Sequence, residues 1–189
     1  MTFLELVQKR QSTREFLDRP VEHDKVKRCI EAARLAPSAC NSQPWKFIVI
    51  DEPELRAAVA QKVISRVLGI NGFVAQAPLL VAIVTEPSKL TARLGATLKD
   101  KAYHLIDLGI ATEHFCLQAV EEGLGTCILG WFDEAGVKRL LKVPRWKRLH
   151  LMVAVGYAAS DTVRQKMRKD VKVILSFDAY DGPATRPGA

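Results

Sequence analysis

Apolar and polar positions along this chain fall into blocks whose period switches between that of a helix and that of a strand. Thr2-Phe3-Leu4-Glu5 reads as a capping box that opens a short helix to about Lys9. From Arg10 to Pro20 no period holds, which predicts irregular chain. A second helix is predicted from about Asp24 to Leu35, with Val26, Cys29, Ile30 and Ala33 on one face and Pro37 ending it. Lys46 to Ile50 reads as a strand. Asp51-Glu52-Pro53 then supplies an acidic cap and a first-turn proline for the next helix. Leu79 to Val84 is wholly apolar, as expected of a strand buried on both faces.

The longest helical pattern spans Leu98 to Glu122. There Leu105, Leu108, Ala111, Phe115 and Ala119 recur three or four apart, and Gly123 closes the run. Thr126 to Leu129 reads as a short strand or extended segment. Asp133 caps a helix to about Leu141, and Leu149 to Val155 is another apolar strand, ended by Gly156. A basic stretch follows (Arg164, Lys166, Arg168, Lys169, Lys172), then an apolar run from Val173 to Phe177 and a Gly/Pro-rich tail. About four strands among helices suit a layered α/β or α+β domain. We expect one domain over residues 1–178 and disorder over 179–189.

Composition narrows the class. The chain has 189 residues, 48% of them apolar, enough for a core in one domain or one subunit of a compact oligomer. No window approaches a membrane span, and Met1 leads into no secretory pattern, so the expected location is the cytoplasm. Cys29, Cys40, Cys116 and Cys127 are widely spread and form no metal-ligand spacing, which predicts four reduced thiols and no metal. The net charge is +7, but the one basic stretch with an aromatic, Arg145-Trp146-Lys147-Arg148, is too short for a nucleic-acid stripe. An anionic ligand accounts for part of the charge more simply, because phosphate needs only a few converging donors.

Several clusters could supply those donors. Arg10, Ser12 and Arg14 are spaced by two, so an extended backbone would point them the same way. By itself this spacing fits a solvated loop better, with Arg10 stabilising the C-terminus of the preceding helix. Arg164, Lys166 and Arg168 could complete a phosphate cage with Arg10, or form a solvated tail. Pro37 to Pro44 is a loop of small residues in which Asn41 and Gln43 offer amides, and a flat ligand could approach its backbone closely. Gly130, just beyond Leu129, could let backbone approach a ring. Asp107 and Glu113 read as solvated charges rather than a general acid pair, and the four histidines read as structural or surface residues. No Gly-x-Gly-x-x-Gly follows a strand, and neither a P-loop nor Gly-x-Ser-x-Gly occurs.

Taken in order, these segments resemble the nitroreductase family of FMN-dependent oxidoreductases. Arg10-Gln11-Ser12-Thr13-Arg14-Glu15-Phe16 is similar to its Arg-x-Ser-x-Arg-x-Phe pattern. Ala36 to Phe47 is similar to Ala-Pro-Ser-x-x-Asn-x-Gln-Pro-Trp-x-Phe, and Lys166-Met167-Arg168 to a closing Lys-x-Arg. The resemblance implies an α+β fold, a three-layer α/β/α sandwich with a mixed central sheet, whose C-terminal segment is exchanged within a homodimer. It implies that Arg10, Ser12, Lys166 and Arg168, with Gln11 beside them, hold the FMN phosphate. Arg14 would face the ribityl chain and pyrimidine edge. Pro37, Ser38, Ala39 and Asn41 would reach FMN from the partner subunit, and the backbone of Leu129 and Gly130 would lie near the O4/N5 edge. The implied activity is ping-pong reduction of nitroaromatics or quinones by NADH or NADPH, with no catalytic side chain required. Other readings are a flavin store or sensor, or a dehalogenating or flavin-cleaving enzyme on the same scaffold. Two departures stand out: Cys40 within the flavin loop, and no lysine near Asn71-Gly72-Phe73-Val74, where some relatives carry one.

Overall fold

Strand β2 (Leu79–Thr85) is buried along almost its whole length because helices cover both of its faces. It lies inside a four-stranded sheet with β1 (Trp45–Ile50), β3 (Gly125–Leu129) and β4 (Arg148–Gly156), in the order β1-β2-β4-β3. The computed structural model describes residues 1–87 and 102–185. All strand pairings among them are antiparallel, and the parallel component of the sheet is a single bridge between Ser12 and Thr126.

Side-chain alternation sorts β2 into two cores. Leu80, Ala82 and Val84 meet Val59, Ala60 and Val63 of α3 (Pro53–Val63) and Val137 of α5 (Glu134–Leu140). Leu79, Val81 and Ile83 face α2 (His23–Arg34) and α4 (Tyr103–Glu121), where Val26, Cys29, Ala33, Leu108, Ala111 and Phe115 pack. The result is the expected three-layer sandwich. β4 follows the same rule across a bulge: Val84 pairs with Leu149 and Ile83 with Leu151, so His150 is an extra residue. Leu149 and Met152 therefore share one core although three positions separate them.

Local signals behave as the residues dictate. α1 (Phe3–Lys9) starts on a complete capping box: Thr2 Oγ1 accepts from Glu5 N and Glu5 Oε2 from Thr2 N. The side chain of Glu52 caps α3 ahead of Pro53, and Asp133 Oδ1 caps α5 at Gly136 N, 2.9 Å away. Gly123 ends α4 with φ +75°, a left-handed residue at the helix stop. At Gly125 a side chain would collide with Thr13, so this glycine lets the Arg10–Leu17 segment lie against the sheet edge.

Two sequence expectations on α4 need correction. Leu105 is 43% exposed, because the buried stripe of α4 begins only at Asp107 and its first turn lies outside the packed layer. Asp107 is 4% exposed rather than solvated, because it shares the stripe of Ala111 and Phe115 at helical spacing. The predicted start of this helix at Leu98 lies outside the described residues. A short C-terminal helix, α6 (Val171–Ile174), leaves Val171, Val173 and Ile174 exposed. No helix among the described residues is long and apolar enough to cross a membrane.

Candidate functional site

The irregular segment after α1 is sewn to the sheet edge by its backbone. Thr13 N donates to Thr126 O at 2.8 Å, Leu17 N to Tyr157 O at 2.9 Å, and Ala159 N to Glu15 O at 3.0 Å. Thr13 and Phe16 are buried, and the segment from Gln11 to Glu15 lines a small cavity of about 190 Å³ with Ser160, Thr162 and Arg164. Arg14 is exposed, and no ion pair holds it among the described residues.

Arg10 is held differently. Its guanidinium pairs with Glu113 of α4 at 3.0 Å and is largely covered, at 18% exposure. Its Nε is buried without a hydrogen-bond partner among the described residues. Glu113, read from sequence as a solvated charge, is thus the carboxylate that orients Arg10. Lys166 reaches the same corner, donating to Val7 O and Gln8 O in the last turn of α1 at 2.7 and 2.6 Å. Its ammonium is pushed below its usual range by burial, and further by the Arg168 and Arg10 guanidiniums nearby. Three cations thus share one corner with one carboxylate against them, a strain that an incoming dianion would relieve.

Gln11 braces the C-terminal segment. Its Nε2 donates to Thr162 O at 2.9 Å, and its Oε1 accepts from Arg164 N at 3.2 Å. Arg164 in turn donates to Ser12 O. Sequence reading placed Arg164 near Arg10 only as one member of a basic run. The structure makes it the clasp between Ser12 and the tail.

The second group hangs elsewhere. Pro37, Ser38, Ala39 and Asn41 form a turn whose link to α4 is Ala39 N donating to Asp107 Oδ1 at 3.1 Å. Arg10 is tied to Glu113 on that same helix, six residues on, or roughly 9 Å along the axis. Leu129 ends β3 with its side chain in the core, while Gly130 is exposed and a Cβ there would meet nothing within 4 Å. Within one chain, then, Arg10 and Arg168 lie near Lys166, Ser12 and Arg14 line the cavity with Arg164, and the 37–41 turn is tied to a different position of α4.

Residues 7–157 match the sequence model of the nitroreductase family. The chain belongs to that family. Among curated relatives, a Streptococcus pyogenes protein bearing an NAD(P)H nitroreductase name is 29% identical, with 84% of this chain and 90% of that protein covered. An iodotyrosine deiodinase of Haliscomenobacter hydrossis is 24% identical, with 92% and 87% covered. Among solved structures, an FMN-dependent nitroreductase of Clostridium difficile R20291 is similar with a TM-score of 0.70 and 27% identity, covering 89% of this chain and 92% of that one. The matched span of this nitroreductase-family chain includes Arg10, Ser12, Arg14, the 37–41 turn and Gly130, and stops short of Lys166 and Arg168.

The donor set suits a phosphate-bearing ring system such as FMN. The cations gathered about Lys166 fit a phosphate, and open space at Gly130 admits a flat ring against backbone.

Proposed function

We propose that this protein is a homodimeric FMN-dependent oxidoreductase that uses NADH or NADPH to reduce electron-poor acceptors such as nitroaromatics or quinones. The observation that carries the reading is the corner where Lys166, tied to the last turn of α1, has the Arg10 and Arg168 guanidiniums near it and Glu113 paired to Arg10. Family membership and a relative named as FMN-dependent support it from outside the chain.

In this reading Arg10, Ser12, Lys166 and Arg168 bind the phosphate, and Glu113 keeps Arg10 aimed at it. Arg14 is exposed and has no ion pair among the described residues, so it is available to the pyrimidine edge, where a cation favours the reduced ring. The turn carrying Pro37, Ser38, Ala39 and Asn41 serves the FMN held by a second copy. Gly130 lets backbone approach the ring at its reacting edge. The chemistry that FMN would supply, if held by these residues, is hydride transfer between NAD(P)H and the acceptor. The chain's own residues bind, orient and set the field, and none is assigned a proton-transfer role. The exposed apolar face of α6, after a basic linker, suits an arm that packs on the second copy.

The purified protein should be a yellow dimer whose visible bands bleach on adding NADH or NADPH. Changing both Arg10 and Arg168 to alanine should release FMN on gel filtration. Stoichiometric FMN retained by that double variant would remove the phosphate assignment. A second reading is reductive dehalogenation on the same scaffold, favoured by the deiodinase relative. Turnover of halogenated phenols in preference to quinones would select it.

A further inference from the structure

The 38–43 segment is held in a shape that few sequences adopt unaided. Cys40, Asn41 and Gln43 have positive φ values of 54°, 50° and 46°. L-residues leave that region unless their surroundings fix them there. Four hydrogen bonds close the segment on itself. Asn41 N donates to Ser38 O at 3.0 Å and Ser42 N to Ala39 O at 3.1 Å, while Gln43 N donates to Ser38 Oγ at 3.0 Å and Gln43 Nε2 to Asn41 Oδ1 at 2.8 Å. None of them fixes where the loop sits on the fold. Among the described residues, the hydrogen bond that ties residues 38–43 to a distant element is Ala39 N to Asp107 Oδ1, at 3.1 Å.

Asp107 is an unusual occupant of its position. It lies in the apolar stripe of α4 with Ala111 and Phe115, 4% exposed. Its Oδ2 is buried and has no hydrogen-bond partner among the described residues. Burying a carboxylate for one hydrogen bond is a poor way to stabilise a helix, since an apolar residue would pack there without desolvating an oxygen. The side chain is explained by what its bonded oxygen holds.

We infer that Asp107 is a positioning residue that registers the 38–43 loop at Ala39 in the shape needed to grip flavin. This rests on the reading above, in which that loop meets FMN. Asp107 acts through Ala39 and touches no reacting atom. Its Oδ1 fixes the direction of one backbone N–H, and the left-handed residues that follow take their course from it.

Two variants break the bond from opposite ends. Asp107→Ala removes the acceptor, and Ala39→Pro removes the donor at the first position of a short 3-10 turn, leaving the core intact. Asp107→Asn keeps an oxygen at the same reach. Two measurements follow each variant: FMN affinity by fluorescence titration of the flavin-free protein, and the rate at which an aromatic disulfide reagent labels Cys40. The labelling is selective because Cys40 is exposed, while Cys29, Cys116 and Cys127 are buried. Asp107→Ala and Ala39→Pro should label several-fold faster and bind FMN about tenfold more weakly, with Asp107→Asn within about twofold of the unaltered protein on both. Unchanged labelling in both disrupting variants, or an Asn variant as impaired as the Ala variant, would overturn the assignment. So would faster labelling with FMN affinity unchanged. Failure of the unaltered protein to bind FMN would instead sink the functional reading, and the role given to Asp107 with it.

Discussion

Tyr157 donates its hydroxyl to Glu22 Oε2 at 2.6 Å, with the Arg19 guanidinium 3.8 Å from the centre of its ring. That hydrogen bond, aided by Glu22's backbone and by Lys25 and Arg19, brings the Glu22 carboxyl from its ordinary 4.5 down to about 2. A depressed carboxyl stabilises the fold fully above its unfolded value and loses that contribution as pH falls through the folded one. Tyr157→Phe should therefore lower stability at pH 7, with the difference from the unaltered protein shrinking below pH 4.5 and gone by about pH 2. Urea midpoints across that range will check it. Partnerships of this kind were not legible in the sequence. Tyr157 and Glu22, Arg10 and Glu113, and Ala39 and Asp107 are each about seventy or more positions apart, and only the folded chain decides that they meet. What the sequence did carry was residue type: Arg10, Lys166 and Arg168 stand out as a set of cations before any partner is known.

At the level of single elements the pattern was far more legible, because each helix and strand is specified by its own residues. Capping box, acidic cap with proline, and terminal glycine all mark ends that the structure reproduces within a residue or two. The period of α4 found Leu108, Ala111, Phe115 and Ala119, and it failed at Asp107 because a charge on an apolar stripe was read as facing water. Phe115 stacks on Phe47 of β1 at 6.3 Å between ring centres and is fully buried. Phe115→Ala should cost about 3–5 kcal/mol in a urea denaturation series. The bulge in β4 was invisible, since an extra residue leaves apolar alternation broken but gives no sign of which partner strand accommodates it. Its geometry makes an unusual prediction. Deleting His150 would leave Leu149 and Leu151 adjacent, still paired with Val84 and Ile83 and still in their own cores. That deletion should lower the melting temperature far less than deleting Ala154, where every later side chain would change face.

For the molecule as a whole, the layered architecture followed from element order and from the wholly apolar β2, which needs a helical layer on either side. The direction of the strands did not follow, because a buried strand reads the same whether its neighbours run parallel or antiparallel. Nor did spacing alone show that Arg10 and the 37–41 turn are tied to different stretches of α4. That separation has a genetic consequence if each pocket draws one half from each copy. A chain defective at Arg10 and Arg168, and another defective at Ala39, would each assemble into pairs with no sound pocket. Co-expressed, they would form hybrids in which one pocket carries both lesions and the other carries neither. Two dead alleles would then complement, and the flavin recovered with the hybrid would count its rescued pockets, one per pair.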